Sequence, residues 1–198
     1  MPPDLLRRAA IEPAEPTVTL RPLPEAIVVL LVDAGASPRL AAHLRAVHDV
    51  ACQLTAWLAG AYPGVIFNAD AVAFGAATHD IGKAVHPDEL SGPGSAHEPD
   101  GYQLLLKAGV PEPLARFACT HAAWTAADAT IEDQLVALAD KIWKARRQED
   151  LEQLLVNRLA ASVHTQPWEA FINLDDELNV LAADAERRLN FQASYPTK

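Results

Sequence analysis

Residues 69–83 read ADAVAFGAATHDIGK, and this stretch sets two polar side chains at the end of an apolar segment. The small, apolar residues that come first predict a buried helix over residues 69–81, which ends at Gly82. His79 and Asp80 then emerge at the carboxyl end of that helix, where free backbone carbonyls favour a cation. The alternative is an exposed helix end at which the pair only forms a salt bridge.

The helix that precedes this stretch carries a histidine on its apolar face. Ser37 followed by Pro38 is typical of a helix start and predicts a helix over residues 37–58. His43 falls within the apolar stripe, and a buried imidazole needs a partner, either a metal ion or a backbone carbonyl. His48 lies one step off the stripe and is expected to reach solvent. The stripe itself, at helical spacing, is Leu40, Val47, Val50, Leu54 and Trp57.

A carboxylate lies within a later apolar segment. Residues 135–143 read LVALADKIW, with Asp140 near the middle. A carboxylate in so apolar a helix must either be paired with a cation or bind a metal ion. Lys141 and Lys144 offer the ion-pair alternative, and these residues by themselves leave both interpretations open.

Two more histidines lie between these segments. His97 opens a predicted helix after a loop rich in glycine, proline and serine, residues 87–95. His121 lies near the end of a predicted helix over residues 111–124. Each could be a helix cap or an exposed polar residue, so neither supports an inference alone.

Helix start and stop signals continue from residue 23 to the end of the chain, and no segment keeps the period of two that a strand needs. The sequence therefore predicts an all-α bundle with the polar cluster in its core. Six of the fifteen prolines fall within the first 24 residues, so residues 1–22 are expected to form an extended arm. Residues 23–147 are expected to form the metal-binding helical domain, and residues 148–198 to form C-terminal helices that pack on it. Predicted helices cover residues 24–33, 37–58, 69–81, 97–108, 111–124, 130–147, 149–163 and 167–189.

Composition limits the possible partners. A net charge of −10 argues against binding a long nucleic acid, because phosphate contacts need a basic surface. A small phosphorylated substrate remains compatible, since bound metal can supply positive charge locally. The longest apolar run, residues 26–32, is far shorter than the roughly 20 residues that span a membrane. The two cysteines, Cys52 and Cys119, are expected to be free thiols of a cytoplasmic protein.

The chain order of the polar residues resembles that of the HD superfamily of metal-dependent phosphohydrolases. That order is His43, His79-Asp80, His97, His121 and Asp140. The local sequence is similar as well: residues 40–47 read LAAHLRAV, residues 79–83 read HDIGK and residues 139–142 read ADKI. The resemblance implies an HD-domain-like helical bundle and covers residues 35–147.

The resemblance also implies a dinuclear metal site bridged by Asp80. The ions would be held by His43, His79, Asp80 and Asp140 at one position, and by Asp80, His97 and His121 at the other. Such a mixed set of nitrogen and oxygen ligands suits Mn, Fe, Co, Ni or Zn, and two divalent ions per chain are expected. Two such ions can generate a hydroxide and stabilise an in-line displacement.

The function implied is hydrolysis of a phosphate ester or anhydride of a small, nucleotide-like metabolite through a metal-bridging hydroxide. Asp80 is the expected catalytic bridge, and Lys83 is expected to bind the substrate phosphate and to stabilise charge during transfer. The alternative for Lys83 is a helix-end lysine near the last carbonyls. A Gly-Tyr-Pro motif like that of the HD-GYP phosphodiesterases does not follow His97, so a cyclic dinucleotide is not assigned.

Two other functions remain open at this point. The same ligand order occurs in diiron oxygenases that resemble myo-inositol oxygenase and the phosphonate-cleaving oxygenases, and iron suits both chemistries. A catalytically silent module that binds metal or nucleotide would also keep these residues. The oligomeric state is not predicted.

Overall fold

The computed structural model describes residues 3–12 and 19–197, and every regular element within them is helical. The all-α prediction is confirmed for this part of the chain. Two 3₁₀ turns, Ile81–Ala84 and Pro87–Leu90, lie between α4 and α5. The helices are α1 (Pro3–Ile11), α2 (Glu25–Asp33), α3 (Pro38–Ala61), α4 (Ala69–Thr78), α5 (His97–Lys107), α6 (Glu112–Ala115), α7 (Phe117–Thr120), α8 (Ile131–Ile142), α9 (Glu149–Val163), α10 (Pro167–Ala182) and α11 (Ala185–Ala193).

Helix α3 forms the centre of the bundle. Helices α1, α4, α8 and α11 all pack against it, and residues 40–51 are buried without exception. The expectation that His48 reaches solvent is therefore wrong, because its side chain is only 4 % exposed. A helix that is covered on every side has no solvent face, so its position relative to the apolar stripe does not decide exposure.

The segment that carries His79 and Asp80 departs from the predicted helix. Helix α4 ends at Thr78 instead of residue 81, and Gly82 lies inside the first 3₁₀ turn. A Cβ atom at position 82 would collide with the carbonyl oxygen of His97. The missing side chain therefore lets α5 begin directly against this turn, which brings His97 beside Asp80.

The amino-terminal segment does not form the extended arm expected for residues 1–22. Residues 3–11 form α1, which packs on α3, whereas residues 19–24 do lack regular structure. Residues 1, 2 and 13–18, with three of the six early prolines, lie outside the described residues. The helix forms because it has an apolar face to bury, made of Leu6, Ala9 and Ala10.

A buried arginine on α3 holds this segment in place. The guanidinium of Arg45 donates hydrogen bonds to the carbonyl oxygens of Glu12 and Leu20, each across 2.7 Å. A further bond reaches the carbonyl oxygen of Arg21 at 3.2 Å. These contacts are long-range, so the spacing of residues in the segment does not predict them.

The predicted helix over residues 111–124 is interrupted and becomes α6 and α7. The side chains of Arg116 and Thr120 both donate hydrogen bonds to the carboxylate of Asp133 on α8, each across 2.6 Å. These bonds tie the segment to α8 in place of a continuous helix. Asp133 also forms a capping box with Thr130.

The later boundaries differ too. The helix expected over residues 130–147 ends at Ile142, and Ala145 adopts a left-handed φ of 57° that cannot continue it. The helix expected over residues 167–189 divides into α10 and α11. The buried guanidinium of Arg188 donates to the carbonyl oxygen of Leu181 across 2.6 Å and so satisfies the last turn of α10.

Helices α9 to α11 share a hydrophobic core with the preceding helices, through residues such as Leu151, Leu174 and Phe191. Arg147 joins α9 to α10, because its guanidinium pairs with Glu152 at 2.6 Å and with Asp175 at 2.7 Å. The division at residues 147 and 148 stays a prediction, and the core is continuous across it. No helix in the described ranges is long and apolar enough to cross a membrane.

Candidate metal centre

Six polar side chains meet inside the bundle, and they are the six expected from the sequence. Each is at most 7 % exposed. Helix α3 supplies one of them, the residues after α4 supply two, and the start of α5, the end of α7 and α8 supply one each. Their burial excludes an exposed helix end for the adjacent His-Asp pair. In chain order they are His43, His79, Asp80, His97, His121 and Asp140.

The carboxylate of Asp80 lies at the middle of the cluster, and its two oxygens face different imidazoles. Oδ2 is 3.0 Å from Nε2 of His43 and 3.4 Å from Nε2 of His79. Oδ1 is 3.0 Å from Nε2 of His97 and 3.7 Å from Nε2 of His121. One carboxylate therefore joins two sets of nitrogen atoms.

The ligand atoms form two groups that share Asp80, and within each group they lie no more than 4.8 Å apart. Asp140 belongs to the first group, with its Oδ1 at 3.5 Å from Nε2 of His79. This grouping coincides with the two sets named from the sequence, and the assignment of one ion to each stays a prediction. The groups are His43, His79, Asp80 and Asp140, and Asp80, His97 and His121.

Three of the imidazoles are oriented by a bond at the nitrogen that faces away from Asp80. Nδ1 of His79 donates to the carbonyl oxygen of Ala76 at 3.0 Å, and Nδ1 of His121 donates to that of Phe117 at 3.1 Å. A carbonyl only accepts, so Nδ1 carries a proton, and in the neutral ring the lone pair is on Nε2. The nitrogen that points into the cluster is thereby the one able to bind a metal.

The third oriented imidazole, that of His97, is held by a carboxylate that the sequence analysis missed. Oε2 of Glu89 accepts from Nδ1 of His97 at 2.5 Å and from its backbone N–H at 3.1 Å. A Cβ atom at Gly94, where φ is 154°, would collide with the Glu89 carboxylate. Glu89 lies in the second 3₁₀ turn, inside the segment predicted as a loop, and the only signal for it in the sequence is an acid eight residues before a candidate histidine ligand.

The electrostatics of the cluster favour a positive charge between its carboxylates. Burial opposes protonation of His79, but Asp80 and Asp140 outweigh it and raise the pKa of His79 to about 9. Burial likewise opposes ionisation of both carboxylates, yet His79 keeps the pKa of each below its usual range. Burial lowers the pKa of His121 to about 4, so that imidazole stays neutral.

Several buried polar atoms in the cluster lack a hydrogen-bond partner. They include Nε2 of His79, Nε2 of His97 and Oδ1 of Asp80. The latter two are 3.0 Å apart but are not aligned for a hydrogen bond. A buried polar atom without a partner costs about 1–3 kcal/mol. These atoms are imidazole nitrogens and a carboxylate oxygen. Divalent transition metal ions would satisfy them, and the donor set fits such ions.

A cavity of about 400 Å³ opens onto the cluster, and lysines line it. Nζ of Lys83 is 2.5 Å from Oδ2 of Asp80, and Nζ of Lys141 is 2.7 Å from Oδ2 of Asp140. The ion-pair alternative for Asp140 is thus present at one carboxylate oxygen, while the other faces His79. Lys144 instead lies with its Nζ 5.5 Å from the centre of the Trp143 ring.

A comparison with protein-family models gives a match to the model described as HD domain over residues 40–143, which is more than half of the chain. The matched region begins three residues before His43 and ends three residues after Asp140, so it contains all six clustered residues. No curated protein and no solved structure shows a significant match.

Proposed function

The chain belongs to the HD domain family, whose members are of the metal-dependent hydrolase type, and on that premise we propose that it is a phosphohydrolase. Its substrate is a phosphate ester or anhydride of a small, nucleotide-like metabolite. The observation that carries this proposal is the position of Asp80, whose two oxygens face two separate groups of imidazoles. A bridging carboxylate of this kind is what a pair of neighbouring metal ions requires.

The clustered residues would bind metal ions at two positions. His43, His79, Asp80 and Asp140 would hold one ion, and Asp80, His97 and His121 would hold the other. When bound, such ions polarise a phosphoryl oxygen and make a bound water acidic enough to attack near neutral pH.

The lysines that line the cavity suit an anionic substrate. The ammonium groups of Lys83 and Lys141 lie beside the carboxylates of Asp80 and Asp140. The two lysine side chains are only 16 and 15 % exposed, respectively. A cation held in a partly water-excluded site stabilises the charge that develops on a transferring phosphoryl group. Since Lys83 lies within hydrogen-bond distance of Asp80, it is positioned by the same carboxylate that would bridge the ions.

The cavity lining holds three lysines and three carboxylates, those of Asp80, Glu98 and Asp140, so ions bound at the cluster would give it a net positive charge. A phosphate group carries the negative charge that Lys83, Lys141 and Lys144 complement.

The test is a substrate screen on protein reconstituted separately with Mn, Co, Ni, Fe and Zn. Phosphate release would be measured from nucleoside mono-, di- and triphosphates and from simple phosphate monoesters. Asp80→Asn serves as the matched inactive variant, since it keeps the shape of the side chain but removes its charge. Release by the wild type and its loss in Asp80→Asn are expected. Oxygen consumption by the iron-loaded protein, with no phosphate release under any metal, would overturn the proposal.

A further inference from the structure

We propose that helix α11 forms the wall of the cavity that selects the organic part of the substrate, through Leu189 and Gln192. This inference rests on the proposed function, because it assumes that the phosphate end of the substrate faces the histidine-aspartate cluster. Both side chains line the same cavity as His43, Asp80 and Lys83. Helix α11 begins at Ala185, well after the region matched by the family model, which ends at residue 143.

The two residues lie on one face of the helix. Leu189 and Gln192 are three positions apart, which brings their side chains together on the surface of an α-helix. The neighbouring face is turned inward, since Arg188 and Phe191 are buried. The Phe191 ring lies 5.5 Å from the guanidinium carbon of Arg45 on α3. The packing of that inner face therefore determines which side chains α11 presents to the cavity.

The end of α11 is fixed to the helix that carries His43. Arg39 donates hydrogen bonds from its guanidinium to the carbonyl oxygens of Ala193 at 2.8 Å and Tyr195 at 2.9 Å. Its backbone N–H also donates to the carbonyl oxygen of Pro196 at 3.0 Å. Arg39 lies four residues, about one helical turn, before His43 on α3. The wall is thereby held in a set position relative to the cluster and does not depend on a mobile tail.

The lining of the cavity combines charged groups with apolar surface. The buried end holds the clustered imidazoles and carboxylates with the ammonium groups of Lys83 and Lys141. The same lining also contains apolar surface from Leu90, which is half-buried, and from Leu189, which is 40 % exposed. Gln192, also half-buried, adds an amide that offers both a hydrogen-bond donor and an acceptor.

This arrangement fits a phosphate ester whose organic group has an apolar face and a hydrogen-bonding edge. Leu189 would cover the apolar face, because an exposed aliphatic side chain gains free energy when it is taken out of water. Gln192 would pair with the polar edge. A volume of about 400 Å³ is within the range of small-molecule sites.

The experiment compares Leu189→Ala and Gln192→Ala with Asn190→Ala, which changes an exposed residue of the same helix that does not line the cavity. The probes are methyl phosphate, ribose 5-phosphate and four nucleoside 5′-monophosphates. Affinity would be measured by calorimetry and turnover as kcat/KM, each expressed relative to methyl phosphate. Melting temperature and metal content would establish that every variant is folded and loaded.

The expected result is a wild-type preference for a larger ester over methyl phosphate that falls about tenfold in each cavity variant and not in Asn190→Ala. If the wild type turns over these esters and its preference survives both cavity substitutions, the role of α11 is overturned while the phosphohydrolase stands. If neither these esters nor the anhydrides of the substrate screen are hydrolysed but the preference in affinity falls in both cavity variants, the role of α11 stands and the phosphohydrolase fails. A wild type without any preference for a larger ester in affinity or turnover overturns the inference.

Discussion

Oε2 of Glu89 and Nδ1 of His97 lie 2.5 Å apart, so the carboxylate of Glu89 determines which nitrogen of His97 faces Asp80. This bond comes from a side chain that contributes no atom to the histidine-aspartate cluster. Carboxylates that bond to the outer nitrogen of a ligating histidine orient the ring and increase its basicity. The second metal position therefore depends on the conformation of the segment from Pro87 to Ala96.

Replacing Glu89 with alanine is predicted to weaken the position formed by His97 and His121. Loss of an orienting partner of this kind costs about 10–100-fold in metal affinity. The measurement is titration of apo-protein with Mn or Co, with resolved first and second binding events. Asp88→Ala, at the exposed neighbouring acid, is the control and should leave both events unchanged. Equal affinities in wild type and Glu89→Ala would show that the His97 ring is held by packing alone.

Two ions per chain are predicted after loading without a chelator. His79→Ala should lose most of the metal, since its ring lies between Asp80 and Asp140. His97→Ala should retain one ion, because its nitrogen belongs only to the second group. Elemental analysis of the folded proteins gives the ratio directly. A wild-type ratio of one would return His97 and His121 to a structural or substrate-binding role, and a ratio of zero would remove the proposed metal centre.

Removal of metal is predicted to lower the melting temperature. The six clustered residues come from five separate segments, so ions that bind only the folded chain stabilise it by mass action. The gain is about 2.7 kcal/mol when free metal is a hundredfold above its dissociation constant. Calorimetry with and without a chelator would measure it. If protein shown to be metal-free melts at the same temperature as the loaded protein, the ions are not linked to folding.

Lys83→Ala is predicted to keep its metal but to lose about 10²–10³-fold in turnover, the scale of one transition-state donor. Lys83→Arg should restore little, because a planar guanidinium does not replace a compact ammonium. Lys107→Ala, at the exposed end of α5, is the control for removal of a positive charge. Steady-state rates with the substrate found in the screen would decide. Turnover within a few-fold of the wild type would assign Lys83 to a purely electrostatic contact with Asp80.

Asp133→Asn is predicted to reduce stability in a manner that depends on pH. Burial opposes ionisation of Asp133, but hydrogen bonds from Thr120 and Arg116 outweigh it and hold its pKa below the usual value. Because the pKa of the folded state is lowered, the stabilisation is present above the unfolded pKa of about 3.9 and is lost as pH falls through the folded value.

Urea unfolding at neutral pH should therefore show a loss of about 1–3 kcal/mol in Asp133→Asn, the cost of disrupting a buried polar pair. The difference from wild type should shrink as the pH is taken below about 4. Asp128→Asn changes an exposed acid of the preceding loop and is the control. A difference that is the same at both pH values would mean that Asp133 acts through shape and not through charge.

The amino-acid sequence by itself determined the helical class and, through the order of six polar residues along the chain and its resemblance to a known family, the identities of the clustered residues. The helix ends and the buried polar positions are local properties. Ser37 caps α3 and Thr130 and Asp133 cap α8 through bonds that span three residues, and such bonds can be inferred from spacing. A histidine at position 43 and a carboxylate at position 140 stand out because each interrupts an apolar pattern, and a buried polar group must have a partner.

The tertiary structure alone decided which distant groups serve these residues. The burial of His48, the folding of α1 on α3, the bond from His97 to Glu89 and the placement of Gln192 on the cavity all depend on how helices cover one another. The spacing of residues along one helix gives the face on which a side chain lies, but not what packs against that face. Since burial and ligand geometry are set by contacts between segments far apart in the chain, they follow from the packed bundle and not from local pattern.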